Sequence, residues 1–224
     1  MKTVLIIISS KNPTIHLYNN LRNILEIQIN NQYLYKIVVI DSDSDSDKLE
    51  IYDKIKSDFS DIEILFRKNK NYEYGAYKIA YDEYPNFDIY FCIQDTLILK
   101  KYIDLSLIDD YNIYKYVHKD LEKGIKWGWN GRSGRHRGLS FVNNLNQEFK
   151  ELIIKDSNCV LCQHNSFICN NNNLKKIFDV LNTKPDDKGA SMIYERLFGL
   201  YFKYFNINAI NLEDSFQKIH GKRL

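Results

Sequence analysis

No stretch of this 224-residue sequence approaches the length of a membrane span. The apolar run at its start, Val4 to Ile8 after Met1-Lys2-Thr3, is too short for a secretory signal, and no small-residue cleavage site follows it. It reads instead as the first strand of a soluble, cytoplasmic protein. Net charge is nearly absent: 31 basic against 29 acidic residues leave a formal +2, which gives no reason to expect general nucleic-acid binding. Cysteines number only four, and Cys159, Cys162 and Cys169 form with His164 the pattern Cys-x2-Cys-x-His-x4-Cys. The histidine follows the second cysteine too closely for common structural zinc spacings, so reduced, mostly buried thiols are expected. Proline (3) and glycine (9) are scarce while Ile, Asn, Lys and Tyr abound, a bias of the kind an AT-rich genome imposes, so the abundance of Asn or Tyr carries no functional weight. No linker and no internal repeat divides the chain.

What is present is an alternation. Short apolar runs at residues 3–8, 35–40, 62–66 and 89–93 predict buried strands. Between them, Leu17, Leu21, Ile24 and Leu25 recur at helical spacing over about residues 15–30, with Thr14 placed to cap. Leu49 to Ser57 predicts a second helix, and Ala76 to Tyr84 a third that Pro85 stops. This β-α-β-α-β-α-β order over the first 100 residues implies a mainly parallel sheet with helices on both faces. Right-handed crossovers then bring Ser9, Asp41, the 69–75 segment and Asp95 to one rim, where such folds bind nucleotides. After residue 100 the pattern loosens. Residues 124–138 hold both tryptophans, five of the nine glycines and three arginines, and predict a long loop. Further on, 143–156 reads as helix, 158–169 as strand, 170–173 as a turn before a helix over 174–181, 191–205 as an amphipathic helix with Ser191 at its N-cap, and 207–212 as a last strand.

Two acidic features stand at strand ends. The buried run of residues 89–99 is interrupted by Gln94-Asp95-Thr96, so Asp95 either serves a ligand or metal at the carboxyl end of the strand or caps a turn. Asp41 opens Asp-Ser-Asp-Ser-Asp-Ser-Asp47, which lacks the glycine at the sixth and the glutamate at the twelfth position of a calcium loop. Its later acids suit turn and helix-N-terminal positions.

Val4-Leu-Ile-Ile-Ile-Ser-Ser10, Ile37-Val-Val-Ile-Asp-Ser-Asp-Ser44, Asn69-Lys-Asn-x3-Gly75 and Tyr90-Phe-Cys-Ile-Gln-Asp-Thr96 follow one another in an informative order. On these pieces, residues 3–100 resemble nucleotide-sugar-dependent glycosyltransferases of the GT-A fold, near the family-2-like group, with a looser match around 160–205. The resemblance implies an α/β, GT-A-like (Rossmann-like) fold: a mostly parallel central sheet flanked by helices in one domain over 1–224. Residues 1–100 would bind the nucleotide sugar, and the smaller part, 101–224, the acceptor. It implies transfer of a sugar from a nucleoside-diphosphate sugar to a hydroxyl of a glycan or other acceptor.

The same resemblance suggests roles. Asp41 would hold the nucleobase, since a carboxylate accepts from an imide or amide N–H; the alternative is a strand-end turn residue. Ser9, Asn69, Gly75 and Gln94 would join the donor site, Gln94 through a sugar hydroxyl. The family's Asp-x-Asp-like metal motif is represented by Gln94-Asp95-Thr96, with one carboxylate. Asp95, diphosphate oxygens and water would hold Mn2+ or Mg2+, with His220 as a second protein ligand. Lys222 and Arg223 would neutralise the departing diphosphate, or form a basic, frayed end. Glu195 would be the general base of an inverting reaction, or a solvated acid paired to a neighbour, with Asp186 and Asp187 in reserve. Trp127, Trp129 and Arg132, with Arg135, His136 and Arg137, would form an acceptor or lid loop, tryptophan faces stacking on sugar rings and arginines meeting phosphate; the alternative packs the tryptophans into the core.

Two other readings remain. A nucleotidyltransferase would show a Gly-rich, basic loop after the first strand, and Ser9-Ser10-Lys11-Asn12 has no glycine. A catalytically inactive GT-A-like module that only binds a sugar or nucleotide is kept open by the single carboxylate at Gln94-Asp95-Thr96.

Overall fold

A computed structural model of the chain describes residues 1–30, 32–121, 125–126, 147, 151, 158–159, 161–186 and 188–219. The first half alternates as its pattern predicts: β1 (Lys2–Ser10), α1 (Ile15–Asn23), β2 (Tyr33–Ser42), α2 (Glu50–Asp58), β3 (Ile62–Arg67), α3 (Tyr72–Glu83) and β4 (Ile89–Gln94). Then come β5 (Leu97–Leu99), β6 (Asn112–Lys115), β7 (Ile125–Lys126), β8 (Asn158–Cys159), β9 (Phe167–Asn170), α4 (Asn171–Val180), α5 (Lys188–Tyr204), β10 (Asn208–Asn211) and β11 (Phe216–Lys218). Among the described residues, seven strands form one sheet in the order β10-β6-β9-β4-β1-β2-β3. All run parallel except β9, which is antiparallel to both neighbours. Strands from both halves of the chain therefore share one sheet.

β1 shows why continuous apolar runs make central strands. Val4, Ile6 and Ile8 face one side and pack with Leu17 and Leu21 of α1 and Tyr52 and Ile55 of α2. Leu5 and Ile7 face the other, in the cluster of Tyr77 of α3 and Tyr194 and Phe198 of α5. All five strand residues are 0% exposed, and burying each such side chain contributes about 1.5–3 kcal/mol. A polar residue at any of these positions has no solvent face to turn to.

Local signals hold at the first helix. The Thr14 hydroxyl accepts from the His16 N–H at 3.3 Å, and α1 runs on through a π-helical turn at Ile24–Gln28. The second half departs from its pattern in three places. The segment 170–173 is not a turn: α4 begins at Asn171, because the Asn170 side chain caps it by accepting from the Asn173 N–H at 2.9 Å. Ser191 is not an N-cap, since α5 begins at Lys188 and Ser191 lies inside its first turn. The strand expected over 158–169 is broken by a 3-10 turn at Gln163–Asn165, where His164 (φ 56°) and Asn165 (φ 50°) adopt the left-handed region. Apart from 125–126, 147 and 151, the loop expected over 124–138 and the helix expected over 143–156 lie outside the described residues. No helix among the described residues is long and apolar enough to cross a membrane.

Candidate functional site

Strand register builds the rim. Ser9 pairs with Gln94, and Ser10 with Asp41, at the carboxyl ends of β1, β4 and β2. A cavity of about 730 Å3 opens there, and Ser9, Asn69, Gln94, Asp186 and Glu195 are among its lining residues. Donor-side and acceptor-side candidates thus share one cavity. Asp41, Gly75 and Asp95 are not among the lining residues.

These three have partners that explain their burial. Asp41 Oδ1 accepts from the Tyr52 hydroxyl at 2.7 Å and from the Ser44 hydroxyl, and its Oδ2 accepts from the Ser44 N–H at 3.0 Å. It closes the turn after β2, and burial pushes the Tyr52 phenol well up. Asp95 Oδ2 accepts from the Ser10 hydroxyl at 2.9 Å, and its N–H donates to the Ser9 carbonyl at 3.1 Å. Gly75 gives the preceding loop room to approach α3: a Cβ there would stand 2.1 Å from Asn69 Oδ1 and 2.7 Å from the Asn71 Cβ. Asn69 braces that loop, donating to the Tyr72 carbonyl at 2.7 Å and the Ser42 hydroxyl at 3.0 Å while accepting from the Asn71 N–H at 2.9 Å.

Two lining residues emerge that sequence reasoning missed. Glu73 lies in the first turn of α3, where a carboxylate suits the helix dipole. It is buried, and it accepts from the Gln94 amide, from the Ser191 hydroxyl at 3.1 Å and from the Asn165 amide at 3.4 Å. Gln94 is thereby oriented: its amide N–H2 faces Glu73, and its carbonyl accepts from the Lys218 ammonium at 3.0 Å and the Thr96 hydroxyl at 3.3 Å. Lys218 also donates to Thr96 Oγ1. It arrives through β11, which pairs antiparallel with β5 so that Lys218 stands opposite Leu97. The sequence pattern starts this helix at Ala76 and leaves Glu73 in the preceding loop, whereas the helix begins at Tyr72. Lys218 was not visible in the sequence either, because nothing local links it to residues 122–124 positions earlier.

On α5, Glu195 Oε1 accepts from the His164 backbone N–H at 3.0 Å, and the His164 ring Nδ1 stands 4.0 Å from the same oxygen. The left-handed backbone at His164 thus sits where an N–H meets a lining carboxylate. Burial pushes the Glu195 carboxyl above its ordinary range, and the Glu73 charge adds to this. The His164 N–H, Arg196 and Lys188 oppose it. Nearby, Cys92, Cys162 and Cys169 are buried free thiols whose ionisation burial suppresses. Trp127, Trp129, Arg132, Arg135, His136, Arg137, Asp187, His220, Lys222 and Arg223 lie outside the described residues.

The chain is similar to the mannosyltransferase PcManGT of Pyrobaculum calidifontis, solved with GDP-Man and Mn2+, with a TM-score of 0.58 and 14% identity over 95% of this chain and 55% of that one. The fold is GT-A. S. aureus TarS 1–349, solved with UDP-GlcNAc, is similar too, with a TM-score of 0.56 and 14% identity over 100% of this chain and 60% of that one. The GT-A chain described here thus spans between about half and three-fifths of the length of these proteins. No protein-family model matches it, and no curated protein sequence does.

PcManGT was solved with Mn2+; do the residues of this GT-A rim fit such an ion? Asp95 offers one carboxylate, with one oxygen already accepting from Ser10. The neutral side chains flanking it, Gln94 and Thr96, both hold an ammonium. Among the described residues, no group of three His, Cys, Asp or Glu comes together as a metal site. His220, the second ligand that the resemblance implies, lies outside the described residues, and within them Asp95 is the one carboxylate of the triplet.

Proposed function

We propose that the protein is an inverting glycosyltransferase that moves a sugar from a nucleoside diphosphate to an acceptor hydroxyl. One observation carries the reading: Glu195, a carboxylate with raised proton affinity, lines the same cavity as the Gln94 and Ser9 rim of a GT-A sheet. Glu195 takes the proton from the acceptor hydroxyl as that oxygen attacks the anomeric carbon and the diphosphate leaves. The His164 N–H holds the carboxylate in place. Its raised proton affinity makes it a better base near neutral pH than an exposed glutamate. Gln94, oriented by Glu73, meets the donor.

A screen of nucleotide sugars for transfer and donor hydrolysis tests this, run with the parent and with Glu195→Gln. General bases of this kind contribute about 10²–10⁴-fold, and a loss in that range with retained donor binding is expected. Full transfer by Glu195→Gln would remove Glu195 from the mechanism. The neutral Gln94 and Thr96 favour a second reading, a domain that binds a nucleotide sugar without turning it over. Binding without transfer or hydrolysis for every donor would select it.

A further inference from the structure

We propose that Glu73 is a positioning residue of the transfer reaction, one buried carboxylate that fixes Gln94 on the donor side and Glu195 on the acceptor side relative to each other. The inference rests on the glycosyltransferase reading and deepens it. The two oxygens of Glu73 face different parts of the cavity wall. Oε1 accepts from the Gln94 amide. Oε2 accepts from the Ser191 hydroxyl at 3.1 Å and from the Asn165 amide at 3.4 Å. Each of these two donors adjoins a support of Glu195. Ser191 lies one turn before it on α5. Asn165 follows His164, whose N–H donates to Glu195 Oε1 at 3.0 Å. The same 3-10 turn holds the Glu195 main chain, whose carbonyl accepts from the Cys162 N–H at 2.7 Å. A carboxylate is rigid and planar, so what its first oxygen holds is set in register with what its second holds.

Lys188, Ser191 and Glu195 follow helical spacing and all line the cavity, so they form one face of α5. Glu73 grips the middle of that face. The start of α3 also docks on the start of α5. The Asn71 amide donates to the Pro185 carbonyl at 2.8 Å, and the Lys188 ammonium stands 5.5 Å from the centroid of the Tyr72 ring. Consecutive residues 71, 72 and 73 thus meet 185, 188 and 191. Contacts along this line fix how α5 is turned about its axis, and that turn sets where Glu195 projects. Glu73, Asn165 and Ser191 are all buried, so water does not compete for their bonds. Displacement at the anomeric carbon needs the acceptor oxygen opposite the departing diphosphate. A misplacement of about 1 Å can cost about 10²-fold in rate, and Glu73 is the group that touches both sides of that geometry.

The test is donor turnover by the full chain with a panel of UDP-sugars and GDP-sugars, with kcat and donor KM separated. Hydrolysis serves as the assay where no acceptor is identified. The proteins are the parent, Ser191→Ala, Ser191→Thr, Glu73→Gln and the double variant Ser191→Ala with Glu73→Gln. Alanine suits a helix interior, so Ser191→Ala keeps the fold. It should lower kcat about tenfold or more while donor KM stays within about threefold, the mark of an interaction that serves the transition state. Ser191→Thr keeps the hydroxyl and should recover most of kcat. The double variant should be no worse than Glu73→Gln, since both changes break one junction. A folded Ser191→Ala with the kcat of the parent overturns the proposal. So do losses that multiply in the double variant, and so does a raised donor KM at unchanged kcat. The Ser191 pair decides the matter even if Glu73→Gln does not fold. A parent inert toward every donor overturns the glycosyltransferase reading and this proposal with it, an outcome distinct from an active parent that its variants match.

Discussion

Ser191 donates its hydroxyl hydrogen to Glu73 Oε2 over 3.1 Å, although the two residues stand 118 positions apart. The bond joins α5 to α3 within the lining of one cavity. Because Glu73 also holds Gln94, the helix that carries Glu195 and the strand end that carries Gln94 share a single buried carboxylate. Breaking that junction should disturb both sides of the cavity.

Glu73→Gln keeps the shape but replaces one acceptor oxygen with an N–H2 that faces another donor. Leaving buried donors unmatched costs about 1–3 kcal/mol. A stability loss of that size is expected in urea unfolding, and a change below about 0.5 kcal/mol, the usual range for a surface substitution, would count against the junction.

Asp41 and Tyr52 form a buried bond at 2.7 Å. Tyr52→Phe should lose about 1 kcal/mol, the net worth of one hydrogen bond, and Asp41→Ala about 2–3 kcal/mol because the Ser44 N–H loses its acceptor as well. The double substitution should lose less than the sum, since both single changes remove the same bond. Additive losses in denaturant titrations would mean that the bond is energetically silent.

Gly75→Ala would set a Cβ 2.1 Å from Asn69 Oδ1, far inside contact distance. Asn69 would have to leave its bonds to Tyr72 and Ser42. Overpacking of this kind costs about 1–3 kcal/mol. A lowered melting temperature in calorimetry is the expected outcome; an unchanged one would show that the loop yields freely.

Burial raises the folded-state pKa of Glu195 above its ordinary value of 4.5. For a raised group, the stability contribution is fully present below the unfolded pKa and is lost as pH rises through the folded pKa. Glu195→Gln, which stays neutral, should therefore gain stability over the parent above that folded value, and the gap should close as pH falls below about 4.5. Chemical denaturation of both proteins from pH 4 to 8 reads this, and a gap that widens toward acid would reverse the assignment. If Glu195 is the base, the transfer rate should rise with pH through the same raised pKa.

Cys92, Cys162 and Cys169 are fully buried, and burial pushes each thiol pKa up. Thiolate is the reactive form, so these three should resist iodoacetamide in the native protein and react in urea. Peptide mapping would show this, and rapid native labelling of any of them would place it nearer solvent than the structure has it.

Much of the first half was legible because its signals are local. Unbroken apolar runs such as Val4 to Ile8, short and rich in β-branched residues, read as strands buried on both faces, and Thr14 acts on a helix that starts beside it. The second half was less legible. Four consecutive asparagines, each a poor helix former, hid a capped helix start at Asn170, and the positive φ of His164 has no pattern of its own. Of the site, the rim was readable from alternation alone. The partners of Asp41 and Asp95 were not, since Tyr52 and Ser10 reach them only after the chain has crossed over.

By itself, the sequence determined the mainly parallel sheet of the first half and the rim where Ser9, Asp41, the 69–75 segment and Asp95 come together, because hydrophobic periodicity and crossover handedness leave few topologies. Only the tertiary structure decided what fills that rim. Glu73 beneath Gln94, Lys218 against Thr96 and the His164 N–H on Glu195 are contacts between segments far apart in the chain. Such contacts depend on strand register and helix placement, which no local pattern encodes.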